Sequence, residues 1–471
     1  MSEDERDTLS LICKWGCDGS QQAQYKQTFQ NDSDSDAYIF QSSFIPLQLI
    51  CGINNKLIWQ NPTPSSLRYC RPMRIRFVKE SSDITNDETN YIQSATSSLH
   101  DSKVTLTDKH LSVKHTLLLT MIDAKVCNAT TLTTSTIRCY ICGETSKDYN
   151  NLSIKKEVTP ETIQFGLSIL HARIRLFESI LHVAYKMPVQ KWQLRSEDEA
   201  IVKHRKLEIQ EELRTKMGLL VDVPKLGCGN TNYGNTSRRF FADPELAGAI
   251  TVIDVNLIYR FKVILEVISS GHKINIEKYS KFDTDTAEMY VQLYPCHPMT
   301  PTVHKILIHG AIVIDNAILP IGQLSEEPAE ARNKYFRPDR QNFARKFSRV
   351  SCNLDVLNRL LLSSDTVITG MRPVPRKKGT NFPDGNGRHA TSCCTSFKPR
   401  YRGLTWWRVL GGTTGVLWWR NMAIAIVRLT ISSANSTISV IVSCTSCWII
   451  HFKCTNRTCF LKTYFPPFNI L

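Results

Sequence analysis

Two cysteines separated by two residues and followed by glycine, Cys139-Tyr140-Ile141-Cys142-Gly143, set the tightest condition on how this chain folds. At a turn, both thiolates of such a pair reach one tetrahedral ion, and the glycine lets the backbone curl around it. Alone, the pair is half a site, and two buried thiols would satisfy the same pattern. His304 and His309, bracketing an apolar stretch in HKILIH, offer the other half. Their five-residue spacing does not put both on one helical face. The competing reading is therefore one core histidine and one at a helix end. If all four converge, zinc staples the end of a sheet to the far side of a helical region.

That condition matters because the texture of the chain changes across it. Up to about Gly143 the sequence favours strands: YIFQSSFIPLQLIC (38–51), KLIWQ (56–60), MRIRFV (73–78), TLLLTMID (116–123) and STIRCYIC (135–142). Asn54-Asn55 leaves a hairpin-length gap between two of them, and the prolines of NPTPSS end the second run. From Thr159 to about Gly310 the spacing becomes helical: Phe165 to Leu181 carries apolar residues at helical intervals until Pro188, and a charged block follows (195–216). A more buried stretch (257–268) ends in Ser-Ser-Gly. A further helix is expected at SEEPAEARNKYFR, with Ser325 as cap and Pro328 in the first turn.

Composition and charge narrow the function classes. A chain of 471 residues, 42% hydrophobic, is not of disordered or fibrous composition. The formal charge of +15 is concentrated: residues 371–471 hold 14 Lys/Arg against one acid, leaving +2 for the rest. Any basic groove in the main body must come from local clustering. The acidic start MSEDERDTLS has no apolar core of signal-peptide length, so the 16 cysteines are expected to be reduced thiols or metal ligands. The uncharged stretch 438–450 is too short and hydroxyl-rich to read as a membrane span, and no membrane association is expected. Cys444, Cys447, Cys454 and Cys459 are a weaker candidate for a small metal site.

Three acids can bind hard cations. Asp18 follows a short strand in KWGCDGS, Asp123 ends an apolar run, and Glu327 opens the expected helix. Strand-end carboxylates with a helix-borne one can hold two divalent ions about 4 Å apart across a scissile phosphate. Each acid alone reads equally as a turn former, a helix cap or a solvated first-turn charge. Two segments suit phosphates: GNTNYGNTSRR (229–239), a polar glycine-rich loop, and RNKYFRPDRQNFARKFSR (332–349), which interleaves basic and aromatic residues. Solvated surface is the bland reading of both.

The order of these motifs resembles the catalytic core of the V(D)J recombination-activating protein and Transib-type DDE transposases. TVHKILIHG, a short gap and LPIGQLSEEPAEARNKYFR carry the resemblance most specifically, with Ile321-Gly322, Glu327, Asn333-Lys334, Phe336 and Arg337 in register. Looser similarity runs from Ile12 to Ile368. The resemblance implies an α/β fold: an RNase H-like mixed sheet with a large helical insertion before the last catalytic helix, stapled by zinc. It implies catalytic Asp18, Asp123 and Glu327, with His171 near them, and Cys139, Cys142, His304 and His309 as structural zinc ligands. Asn235, Arg238, Arg239, Asn333, Lys334 and Arg337 are the nucleic-acid contacts it suggests.

The expected divisions are 1–150 for the sheet with both aspartates and the C-x-x-C, and 151–315 for the insertion. Residues 316–370 form the catalytic-helix region, and 371–471 an unrelated, disordered tail. The implied activity is nicking and strand transfer on double-stranded DNA with two Mg2+ or Mn2+ ions, in the nucleus. A homodimer and an accessory subunit of the recombination-activating type are the implied partners. Only 17 residues precede Asp18, where the family has its DNA-end-binding region. The acid that follows the His171 position in the family is absent, and so is a further cysteine-rich zinc element. A non-cutting, zinc-stabilised DNA- or protein-binding relic is the alternative.

Overall fold

The computed structural model describes residues 8–21, 37–52, 55–106, 109–153, 157–191, 193–225, 229–373 and four strands beyond them, 425–430, 438–444, 449–454 and 458–464. The chain is mixed α/β and separates into two compact units. Among the described residues, one holds those up to Met121 and those from Glu327 onward, the other Ile122–Glu326.

The first unit is organised by strand β1 (Thr8–Gln21), whose residues Ile12 to Cys17 are buried without interruption, as a strand covered on both faces requires. It pairs antiparallel with β2 (Tyr38–Cys51) and parallel with a strand at Lys109–Leu119, which makes the sheet mixed. β3 (Leu57–Gln60) folds back on β2 and β4 (Arg71–Arg76) pairs with its other end. With β5 (Ser102–Leu106) at the edge and β6 denoting Lys109–Leu119, the order is β5-β6-β1-β2-β4. Thr458–Tyr464 continues the sheet beyond β4, through Thr458 opposite Arg76 and Cys459 opposite Ile75.

Alternation along β2 places helices on both faces. Gln41 donates to Asn333 of the helix Glu327–Pro338, while Ser42, pointing the other way, donates to Glu88 of the helix Ser82–Ser97. Beneath the Glu327 helix, Ile39 and Ile75 of the sheet meet Phe336, Ala344, Cys352, Val356 and Leu360. Arg332 is buried, donating to Leu67 O, Cys70 O and Ser363 Oγ.

The Ser82–Ser97 helix escapes the apolar reading of the sequence because its buried face is Thr85, Glu88, Thr89 and Ile92, a helical spacing written mostly in polar residues. Glu88 is held by Ser42, Arg74 and Arg76, so the burial of its charge is compensated.

The second unit is helical. Ile169–Lys186 is its central helix, buried along Ile169, Ala172, Leu176, Phe177, Ile180, Leu181 and Ala184. Ser196–Met217, Val255–Ile268, Ile276–Leu293 and Pro301–Asp315 complete the main set. Phe177 meets Phe240 at 4.8 Å between ring centroids.

Several local expectations change. GNTSRR, read as loop, is the start of the helix Gly234–Ala242. The strand expected at 135–142 is a tight turn with one isolated bridge, Arg138 to Thr145, because the residues around Cys139 curl rather than extend. The apolar run 116–123 ends as a strand at Leu119. The units divide at 121/122 and at 326/327, so the C-x-x-C belongs with the helices instead of with the sheet. No helix among the described residues is long and apolar enough to cross a membrane.

Candidate functional site

The knuckle at Cys139 is formed by backbone geometry. Gly143 takes φ +74°, which glycine adopts without strain; its N–H donates to Cys139 O at 2.7 Å, and Cys139 N–H donates to Glu144 O at 2.8 Å. The Tyr149 hydroxyl bonds Ile137 O and Glu144 O, and its ring stacks on His304 at 4.0 Å. His304 and His309 are both buried on the helix Pro301–Asp315. One ligand atom from each of Cys139, Cys142, His304 and His309 lies within 4.8 Å of all the others, with Cys142 Sγ 3.4 Å from His304 Nε2.

These residues fit a tetrahedral ion. Zinc–sulfur and zinc–nitrogen bonds give donor separations of roughly 3.3–3.8 Å, a contraction of about an ångström from the widest pair here. His309 Nε2 and His304 Nδ1 are buried with no hydrogen-bond partner, a cost that metal ligation of His309 removes. The Cys139 thiol is pulled down to about 7 by its hydrogen bond with Cys142, against the effect of burial. Cys142 is pushed up by that same bond, and burial keeps His304 neutral by lowering its pKa. A thiolate beside a neutral imidazole is a ligand-ready pair. The cluster could hold a metal such as zinc.

The carboxylates are placed as follows. Asp18, half-buried on β1, accepts a 2.6 Å bond from Asn333 Nδ2, and Asn333 Oδ1 accepts one from Gln41, also 2.6 Å. Asn333 stands on the helix that Glu327 opens, so β1, β2 and that helix share one polar clamp. Gly16 keeps β1 open to the end of β6: a Cβ there would lie 1.8 Å from Met121 O, while Thr120 N–H and Met121 N–H both donate to Trp15 O. Asp123, two residues further, belongs to the second unit and caps the helix Ala124–Thr130, its Oδ1 accepting from Lys125 N and Val126 N at 2.8 and 3.0 Å. The cap reading of this aspartate is thus realised.

His171 lies in the second unit, on the helix Ile169–Lys186, and is bonded by Glu326. Glu326 accepts from His171 Nδ1 at 3.2 Å, Ser168 Oγ at 2.5 Å and the backbone N–H of Ile169 and His171. Burial would raise its pKa, yet the bonds from His171 and Ser168 hold it below the usual value. Glu326 was the residue the sequence hid: beside Glu327 it reads as one of two solvated first-turn charges, and its partner is 155 positions away.

The nucleic-acid candidates divide. Asn235, Arg238 and Arg239 are exposed, but Arg239 bonds Met217 O and Gly218 O, closing the C-terminus of the helix Ser196–Met217. Lys334 and Arg337 are exposed, whereas Asn333 is buried in the Asp18 clamp. Of the four tail cysteines, Cys447 lies outside the described residues and the side chains of the other three are not described. Compared with protein-family models and with curated proteins, the chain finds no significant match.

Proposed function

We propose that the chain is the core of a DDE-type DNA recombinase or transposase with an RNase H-like sheet. Three antiparallel strands β4-β2-β1 followed by a parallel β6, with helices on both faces, support the sheet assignment. The observation that carries the functional reading is the Asn333 clamp. It joins the strand bearing Asp18 to the helix bearing Glu327, so that two carboxylates far apart in sequence are fixed to one rigid framework. Asp123 is the third carboxylate of the proposed set.

Asp18, Asp123 and Glu327 are hard oxygen donors suited to Mg2+ or Mn2+, and Asp123's cap engages Oδ1. Such ions, when bound, would supply charge stabilisation at a scissile phosphate. Asn333 orients the Asp18 carboxylate, and Glu326 fixes the His171 ring near the start of the Ile169 helix. Double-stranded DNA is the proposed substrate, a homodimer with an accessory subunit the proposed assembly, and the nucleus the proposed location. The zinc cluster's role is structural.

The test is plasmid nicking by the full chain with manganese. Nicking that falls at least about a hundredfold in Glu327→Gln and Asp18→Asn supports the reading; activity unchanged in both variants overturns it. A second reading, a zinc-stabilised DNA- or protein-binding module that does not cut, is favoured by Asp123's capping bonds. It predicts binding without nicking in the unaltered chain.

A further inference from the structure

We propose that the exposed aromatic and arginine surface between Tyr335 and Phe347 binds single-stranded DNA by stacking bases on its rings. Three rings stand in solvent: Tyr335 is 51% exposed, Phe343 59% and Phe347 72%. Phe343 and Phe347 lie against side chains anchored one turn apart on the helix Arg349–Ser364, Phe343 against Arg359 and Phe347 against Arg345, which Asp355 holds. Guanidinium groups accompany them, that of Arg359 lying 3.7 Å from the Phe343 centroid and that of Arg345 5.7 Å from Phe347.

Neither arginine is loosely placed. Arg345 makes a two-pronged bond to Asp355 at 2.9 and 2.8 Å, and Arg359 bonds Asp339. Underneath, Phe336, Ala344, Cys352, Val356 and Leu360 form the firm apolar floor. The segment 332–349 carries seven Lys/Arg and one acid, with Lys334, Arg337 and Lys346 exposed.

Positive charge alone would suit any polyanion. Exposed rings beside fixed guanidinium planes select one whose own flat groups are open to stacking, which is an unpaired nucleic-acid strand; bases within a duplex are already stacked on one another. An acidic protein segment would meet the charge but leave the rings without a use. This inference deepens the nucleic-acid reading above and does not depend on cation binding by the carboxylates.

The experiment measures binding of a fluorescent oligothymidine and of a duplex to the full chain without added magnesium or manganese, so that failure to cut DNA leaves it unaffected. Phe347→Ala is expected to weaken oligothymidine binding roughly tenfold while changing duplex binding little, and Phe347→Trp to restore it. Lys346→Gln is expected to lower the slope of log affinity against log salt by about 0.7. Unchanged oligothymidine affinity in Phe347→Ala overturns the proposal, as does an equal loss on duplex. Displacement of the oligothymidine by a polyglutamate peptide of the same charge also overturns it, assigning the surface to acidic partners.

Discussion

At the scale of single residues, the knuckle makes the sharpest demand. Cys142→Ala and His309→Ala each remove one donor of four, and zinc affinity is expected to fall by at least about tenfold to a hundredfold. Elemental analysis of purified protein should read one zinc per chain before substitution and a fraction of one after. Because the Cys139 thiol is held at about 7, its proton competes with the metal as pH drops below that value. Zinc retention should weaken on acidification, and chelator-resistant zinc measured from pH 8 to pH 5 should show it.

Glu326 gives a second residue-scale prediction. Its lowered pKa means that its contribution is complete above the unfolded-state value of about 4.3 and is lost as pH falls through the lower folded value. Glu326→Gln should cost about 1–3 kcal/mol at pH 7, read from denaturant midpoints, with the cost shrinking at acid pH. Cys139, Cys142, His304 and His309 were legible as a metal-ligand set because their residue types advertise the chemistry. Glu326, Tyr149 and the bond from Asn333 to Asp18 were not, because glutamate, tyrosine and asparagine acquire such roles only from long-range partners.

At the scale of elements, the long apolar runs were the readable part. The run 38–51 is β2 and 257–268 lies within the helix Val255–Ile268. The Ser82–Ser97 and Gly234–Ala242 helices were hidden by polar composition, since hydroxyls and glycine read as loop until burial is known.

Close approach adds a constraint that periodicity does not carry. Gly16→Ala should lower stability by about 1–3 kcal/mol because its methyl group meets Met121 O, measurable by urea unfolding. In the helix Ile276–Leu293, Asp283 is buried facing Gly310 and Tyr279, and burial raises its pKa well above the usual value. A raised carboxyl pKa costs nothing below the unfolded-state value and destabilises increasingly as pH climbs from there towards the folded one. Asp283→Asn is therefore expected to raise the melting temperature at pH 7 and to leave it unchanged near pH 3. Equal shifts at both pH values would contradict this.

At the scale of the whole molecule, two units use different means of stability. One is a mixed sheet clamped by Gln41, Asn333, Glu88 and Arg332; the other is a helical assembly whose cysteine knuckle and histidine helix converge on a single point. The knuckle's membership in the helical unit was not readable from sequence, because Cys139 stands closer along the chain to β6 than to His304. The net basic charge resides after residue 370, so any basic surface in the main body comes from local clusters such as 332–349.

Our central proposal is that Asp18, Asp123 and Glu327 are ligands of divalent ions. It is tested most directly by titrating manganese into the full chain, with a non-cleavable DNA duplex present, and counting bound ions by electron paramagnetic resonance. The account predicts two manganese ions per chain beyond the zinc, with that binding lost in Asp18→Asn and in Glu327→Gln. No saturable manganese in the unaltered chain, or the same number of ions in both variants, would contradict it.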